Sequence, residues 1–231
     1  MRTEVEIENG FAYVADGEWL AAPGQPCAVK GRASVKGLRG FIVPDRGTVC
    51  SVTVVGGEDS KRTTARESGA EGETGGRGGR ATEGSAWFAD AERPFLTRLD
   101  ALPDEDLNLV ASKLLVAPAA SRADARRYRP VPMSLKNSFA VTVFRSGWTV
   151  AATKSRVTRI ALAEGETLTV APSALVAWIG KDPTGFCPKL GLLDLLLPRS
   201  PRGFALNFHG PAVLWLEGVS SPVSTRLFPR R

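Results

Sequence analysis

The chain has 231 residues, of which 43% are hydrophobic and 23% charged, which suits a globular protein and excludes a wholly disordered one. No apolar run approaches the ~20 residues that cross a bilayer, and the N-terminus lacks the apolar core of a signal peptide. We therefore expect a cytoplasmic protein without a transmembrane segment. The three cysteines are an odd number without CxxC spacing, which argues against a disulfide framework or a structural zinc site.

The formal net charge of +6 would suit an anionic partner. The basic residues are interleaved with acids along the chain, however, so charge alone is weak support for nucleic-acid binding. The single histidine, His209, excludes metal centres built from several histidines. No cofactor is expected, because no phosphate-binding loop or cluster of metal ligands is evident.

The N-terminal unit is predicted to span residues 1–120 and to contain an insertion at 56–85. The insertion is rich in glycine and has no aromatic residue, valine, isoleucine or leucine. Its acidic and basic residues nearly cancel, unlike those of a polybasic binding arm. This composition predicts a flexible loop.

An arginine-rich connector is predicted at 121–133. Its arginines flank Asp124 and Tyr128. Arginine beside an aromatic ring can pair with phosphate and stack on bases. Two alternatives stay open for this segment: a solvated linker, or a contact with nucleic acid or lipid headgroups. The candidate anion contacts are Arg122, Arg126, Arg127 and Arg129.

The C-terminal unit, residues 134–231, contains alternating segments bounded by turn residues. Phe139, Val141 and Val143 fall on one face of such a segment, and 203–208 repeats the pattern. This period of two is typical of half-buried strands, and the near absence of helical periodicity favours an all-β sandwich or barrel. The one helix candidate is the leucine-rich run at 189–197.

Internal repetition supports the same fold. Residues 137–150 align with 202–215, and residues 104–117 align with 164–177. A fainter third copy of the second pattern occurs at 16–24. Repeated β units that share one core are the simplest explanation.

The motifs at 164–178 and 203–217 resemble the closing repeat of the altered-inheritance-of-mitochondria protein twenty-four family. Its pattern is G-E-x-L-x-V, a small-residue kink, L-V-A-aromatic, a leucine-rich loop, and G-P-G before an apolar strand. The sequence departs from it at Ala212 and 200–203, and the 56–85 insertion is unusual. The matching positions include Gly165, Glu166, Leu168, Val170, Gly210, Pro211 and Trp215.

The resemblance implies an internally duplicated β-sandwich of the tryptophan RNA-binding attenuator type, without an established enzymatic activity. It covers 104–219 well and the N-terminal part poorly. No catalytic residue follows from it, and the motif residues are expected to be structural. Glycine supplies turns with positive φ, and proline fixes φ after Gly210.

Catalytic and metal sites are not expected. His209 has no evident nucleophile or orienting partner, and the chain has no Gly-x-Ser-x-Gly elbow. The adjacent acids at 104–106 could bind a hard cation, but such acids in a turn are usually solvated.

The leucine-rich run is the main candidate contact surface. Burial in its own core, an oligomer contact and a membrane-surface contact are its three alternatives. The residues that would contact a homo-oligomer partner or another protein are Leu190, Leu192, Leu193, Leu195, Leu196 and Leu197.

The sequence thus predicts a non-catalytic binding or assembly protein that self-associates. The alternative is an RNA or other polyanion binder that uses the arginine-rich connector. Peripheral membrane contact is a third, less favoured mode of binding.

Overall fold

The computed structural model describes residues 4–43, 47–56, 83–121, 123–128, 139–186 and 205–218. These residues form nineteen strands and a single helical turn, Ala111–Lys113. The prediction of an all-β fold is confirmed. The helix candidate at 189–197 lies outside the described residues.

After one initial strand, the other eighteen described strands fall into three groups of six. That strand is β1 (Val5–Glu8), and the first group consists of β2 (Phe11–Ala15), β3 (Gly17–Ala21), β4 (Ala28–Lys30), β5 (Arg32–Val43), β6 (Gly47–Val55) and β7 (Ser85–Phe88).

The second and third groups follow without a break in this order. The second consists of β8 (Phe95–Asp100), β9 (Leu107–Val110), β10 (Leu114–Pro118), β11 (Ala123–Tyr128), β12 (Phe139–Phe144) and β13 (Trp148–Thr153). The third consists of β14 (Val157–Leu162), β15 (Thr167–Val170), β16 (Leu175–Gly180), β17 (Thr184–Phe186), β18 (Ala205–His209) and β19 (Ala212–Glu217).

Four antiparallel sheets are built from these strands. Sheet I has the order β1-β2-β7-β4, and sheet II the order β5-β6-β3-β10-β13-β8. Sheet III has the order β11-β12-β9-β16-β19-β14, and sheet IV the order β15-β18-β17. Each six-stranded sheet therefore takes three strands from one group and three from the next group along the chain.

The strand order repeats with a shift of six. Adding six to each strand number of sheet II gives sheet III, strand for strand. Adding twelve to the numbers of β5, β6 and β3 of sheet II gives β17, β18 and β15, which are the strands of sheet IV. Subtracting six from β10, β13 and β8 gives β4, β7 and β2 of sheet I. Sheets I and IV thus correspond to opposite halves of the six-stranded sheets.

Three hydrophobic cores place the sheets in layers. The first core packs Phe88 of sheet I against Trp148 of sheet II, and the second packs Leu114 of sheet II against Leu109 of sheet III. The third packs Trp178 of sheet III against Phe208 of sheet IV. The layer order is therefore I, II, III, IV, and sheets II and III each have a hydrophobic core on both faces.

Alternation along the strands explains this layering. In β15, Leu168 and Val170 are buried, whereas Thr167 and Thr169 are exposed. Strand β16 is instead buried over five successive residues, because it lies in a sheet with a core on each side. A strand of an end sheet needs only one apolar face.

The segments that align in sequence occupy equivalent places in the sheets. Residues 107–118 contain β9 and β10, and residues 167–180 contain β15 and β16, six strands later. The faint copy at 16–24 contains β3, the equivalent strand of the first group. The boundary predicted at residue 120 falls inside the second group, between β10 and β11.

Two predicted connecting segments have different outcomes. The linker interpretation of the arginine-rich segment is wrong for 123–128, since these residues form β11 and pair with β12 along the edge of sheet III. The 56–85 insertion joins β6 to β7, and its residues 57–82 lie outside the described residues.

Candidate self-association surfaces

Each end sheet has one edge strand, β4 in sheet I and β15 in sheet IV, whose equivalents in sheets II and III are interior strands. We call the unpaired sides of these two strands the open edges. Among the described strands, β15 pairs only with β18, and β4 pairs only with β7. The equivalent strands in sheets II and III are paired on both sides: β3 with β6 and β10, and β16 with β9 and β19. The open edges are therefore the positions at which the repeat of the strand order stops.

Backbone hydrogen bonds indicate which peptide groups face the open edges. The Gly210 amide donates to the Glu166 carbonyl at 2.9 Å, so alternate residues Leu168 and Val170 continue the bonding toward β18. The N–H and C=O groups of Thr167 and Thr169 consequently point to the open side of β15.

The same alternation applies to β4. The Cys27 amide donates to the Trp87 carbonyl at 2.9 Å, toward β7. Because Trp87 faces β4 and is paired with Ala28, the peptide groups of Ala28 and Lys30 bond toward β7, and those of Val29 point to the open side. All three residues of β4 are exposed.

The outer face of sheet I is aromatic. Tyr13 and Trp87 are paired across β2 and β7, with ring centroids 5.3 Å apart, and Phe11 is 44% exposed. Together with Glu6 and Glu8 they line a groove of about 580 Å³. Exposed aromatic clusters of this kind are typical of contact surfaces.

Sheet III carries an apolar outer strip beside sheet IV. Ile160 pairs with Leu214 and Leu162 pairs with Ala212, on the face that packs against sheet IV. Ile160, Leu162 and Leu216 are only partly buried there. This strip covers β14 and β19, the half of sheet III whose counterpart is absent from sheet IV.

The outer face of sheet IV is polar. The Thr169 hydroxyl donates to Asn207 Oδ1 at 2.7 Å, and Thr167 Oγ1 lies 3.3 Å from His209 Nδ1, with both side chains exposed. The histidine thus contacts a threonine hydroxyl at the end of two strands. This contact does not provide the third, orienting group that a histidine base requires.

The predicted motif residues cluster around one turn of the third group. Gly165 has φ 81° in the β14–β15 turn, and the Glu166 carboxylate accepts a hydrogen bond from the Ala163 amide at 2.7 Å. Gly210 and Pro211 form the β18–β19 turn, and a Cβ on Gly210 would collide with the Ala163 carbonyl. The motif therefore holds two turns together, with Leu168, Val170 and Trp215 packed in the adjoining cores.

The two described arginines of the candidate anion site point to opposite faces of β11. Arg126 forms an ion pair with Asp182, and its guanidinium lies 6.0 Å from the Tyr128 ring centroid. Arg127 lies on the other face and is exposed. Arg122 and Arg129 lie outside the described residues. The structure does not bring the described pair together as one basic patch.

Tyr128 is packed between the ring of Phe139 and the edge of Trp178, at 5.4 and 6.0 Å between centroids. Burial raises the pKa of Tyr128 to about 12, assisted by the Asp182 carboxylate and opposed by Arg126. The hydroxyl therefore stays protonated at physiological pH.

A cavity of about 740 Å³ lies at one end of sheet II. Its walls include Trp19, Val54 and Pro118, and Asp16 lies at its margin. One carboxylate oxygen of Asp16 is buried without a hydrogen-bond partner, close to Gly84. This cavity adjoins Gly56 and Gly84, where the chain enters and leaves the residues that are not described.

Sequence reasoning missed the surfaces at the two ends of the layered fold. The alternation in 11–15 signals a strand, but the partner strand that places Trp87 beside Tyr13 is far away in sequence. The predicted contact residues at 190–197 lie outside the described residues, so their prediction stays untested.

The described ranges also lack two features that would indicate a metal site or a membrane span. They contain no group of three or more histidine, cysteine, aspartate or glutamate residues placed to hold a metal ion. Nor do they include a helix with the length and apolarity to cross a membrane.

Comparison with known proteins gives a fold match alone. No family model matches the chain, and no curated protein matches it. The chain is similar to the X-ray crystal structure of protein SPYM3_0169 from Streptococcus pyogenes, with a TM-score of 0.61 and 14% sequence identity. The match covers 94% of this chain and 93% of that chain, so the two proteins share the fold over nearly their whole lengths.

Proposed function

We propose that this protein is a non-catalytic scaffold that acts by self-association. The observation that carries the proposal is the open edge on each of the two end sheets. An exposed strand edge presents unpaired N–H and C=O groups to any compatible strand, and proteins that stay monomeric cover, shorten, bend or charge such edges. Strands β4 and β15 are short, but neither carries a proline or a bulge among its described residues.

The aromatic outer face of sheet I supports the same function. Phe11, Tyr13 and Trp87 would be partly removed from water in an interface, and interface cores are enriched in such residues. The flanking Glu6 and Glu8 are suited to a polar rim.

Polyanion binding is the alternative function, and no specific observation favours it. Arg126 is already engaged by Asp182, and Arg145 is paired with Asp124 on the same side of β11. The resemblance to the altered-inheritance-of-mitochondria protein twenty-four family and the cytoplasmic location stay predictions.

Light scattering coupled to size-exclusion chromatography tests the proposed function. We expect a particle at a multiple of the 24.6 kDa chain mass, free of nucleic acid, whose mass changes little between low and high salt. A monomer at all concentrations would contradict self-association. Co-elution with nucleic acid that is lost steeply with added salt would favour polyanion binding instead.

A further inference from the structure

We propose that copies of this chain join head to tail, with β15 of one copy pairing antiparallel with β4 of the next. This inference rests on the proposed self-association and identifies the surfaces that carry it. The joined sheets IV and I would form a seven-stranded sheet, with β1 at its end after six strands in the order β17-β18-β15-β4-β7-β2. These six strands repeat the strand order of sheets II and III. Strands β17, β18 and β15 take the places of β11, β12 and β9 in sheet III, and β4, β7 and β2 take the places of β10, β13 and β8 in sheet II.

The two complete sheets provide the template for the joint. In sheet II, β3 pairs with β10 across the boundary between the first and second groups. In sheet III, β9 pairs with β16 across the boundary between the second and third groups. The third pair in this series is β15 with the strand equivalent to β10 and β16. That strand is β4, at the edge of sheet I in the next copy.

The joint cannot close within one chain. Sheets II and III lie between sheets I and IV, and no core cluster contains described residues of both end sheets. Packed sheets are about 10 Å apart, which separates sheets I and IV by about 30 Å. Strands in a ladder are about 5 Å apart, so the two open edges can meet only between copies.

Side chains around the two edges suit this arrangement. In the joined sheet, the outer face of sheet I would lie over the β14–β19 half of the preceding copy's sheet III. The aromatic groove with Tyr13 and Trp87 would then cover the partly buried Ile160 and Leu162. The apolar parts of two partly exposed surfaces would be removed from water by one contact.

A head-to-tail contact uses two different surfaces, so each can be blocked separately. Proline at an outward-facing position of an edge strand removes a ladder donor without breaking a bond inside the chain. Thr169→Pro blocks the β15 edge, and Val29→Pro blocks the β4 edge. Thr169→Val is the matched control, because it keeps the strand and the backbone donor.

The experiment measures particle mass by light scattering for each variant and for their equimolar mixture. We expect each proline variant alone to be a monomer and Thr169→Val to keep the wild-type mass. The mixture should give a dimer, because the open β15 of the Val29→Pro chain can bind the open β4 of the Thr169→Pro chain. Circular dichroism and the melting temperature verify that each variant is folded.

The outcomes separate this inference from the proposed function. A wild-type oligomer that persists in both folded proline variants would overturn the β15–β4 joint and leave self-association intact. A wild-type monomer would overturn both. If Thr169→Pro does not fold, Val29→Pro tests the joint at the opposite edge, with Val29→Thr as its control.

Discussion

The ammonium group of Lys113 and the carboxylate of Glu217 form an ion pair in the protein interior, with side chains only 10% and 6% exposed. Lys113 follows β9, and Glu217 ends β19, so the pair connects the second and third groups of strands. The other oxygen of Glu217 accepts a hydrogen bond from the Lys154 amide at 3.0 Å. Burial lowers the pKa of Lys113, although the contact with Glu217 opposes this shift.

Removing one member of this pair should destabilise the fold strongly. Glu217→Gln leaves the buried Lys113 charge uncompensated, at a cost of about 3–5 kcal/mol in the free energy of unfolding. Urea unfolding at fixed protein concentration measures the change. The double variant Glu217→Gln with Lys113→Met is the control, because it removes both charges and keeps an acceptor for Lys154. We expect it to recover most of the loss, and no recovery would contradict the charge argument.

Gly210 should tolerate a side chain less well than Gly165. A Cβ on Gly210 would overlap the Ala163 carbonyl, whereas a Cβ on Gly165 meets no atom within 4 Å and is disfavoured only by its φ of 81°. We expect Gly165→Ala to cost about 1 kcal/mol. Gly210→Ala should cost clearly more, as measured by thermal or urea unfolding. Equal losses for the two variants would show that the contact between the turns is relaxed easily.

The long connection between β6 and β7 should be dispensable for the fold. A Cβ on Gly84 would lie 2.7 Å from the Val55 carbonyl carbon and 2.8 Å from the Gly56 amide nitrogen, so the two ends of the connection are adjacent. The equivalent connections are residues 145–147 between β12 and β13 and residues 210–211 between β18 and β19.

Replacing residues 57–82 with a short Gly-Ser turn should therefore preserve the structure. Because loop-closure entropy changes slowly with length, the melting temperature should stay the same or rise slightly. Circular dichroism and differential scanning calorimetry check this expectation. Loss of the β-sheet signal would show that the replaced segment contributes to the core.

The hydroxyl of Tyr128 should ionise at a much higher pH than that of an ordinary tyrosine. In a Tyr13→Phe background, where Tyr128 is the remaining tyrosine, near-ultraviolet absorbance should report tyrosinate formation with a pKa of about 12. The unfolded tyrosine ionises near ~10, so the stability contributed by Tyr128 is complete below that pH and is lost as pH rises toward 12.

Asp182→Asn tests the electrostatic part of this shift. The substitution removes a carboxylate that raises the pKa of Tyr128, so ionisation should move to lower pH. The shift should be partial, because burial is the larger cause. An unchanged titration would show that the aspartate has no influence on the hydroxyl.

Local pattern was enough to predict the strands but not their assembly. The alternation at Phe139–Phe144 and the repeats at 104–117 and 164–177 predicted an all-β fold with equivalent strands, which the sheets contain. Which strands are neighbours depends on contacts between distant residues, such as Ala21 with Val116, and periodicity carries no information about them.

The candidate sites were harder to predict for the same reason. The segment Ala123–Tyr128 has the composition of a solvated linker, yet backbone pairing with β12 makes it an edge strand. The open edges of β4 and β15 have no signature in composition at all. They follow from the place at which the series of sheets ends.

The sharing of sheets between successive groups has a consequence for folding during synthesis. When β9 and β12 leave the ribosome, the strands β16 and β19 that complete their sheet have not yet been made. Each group therefore stays partly unpaired until the next group has been synthesised. Because pairing between distant segments is slow, we expect folding after synthesis rather than stepwise folding during it.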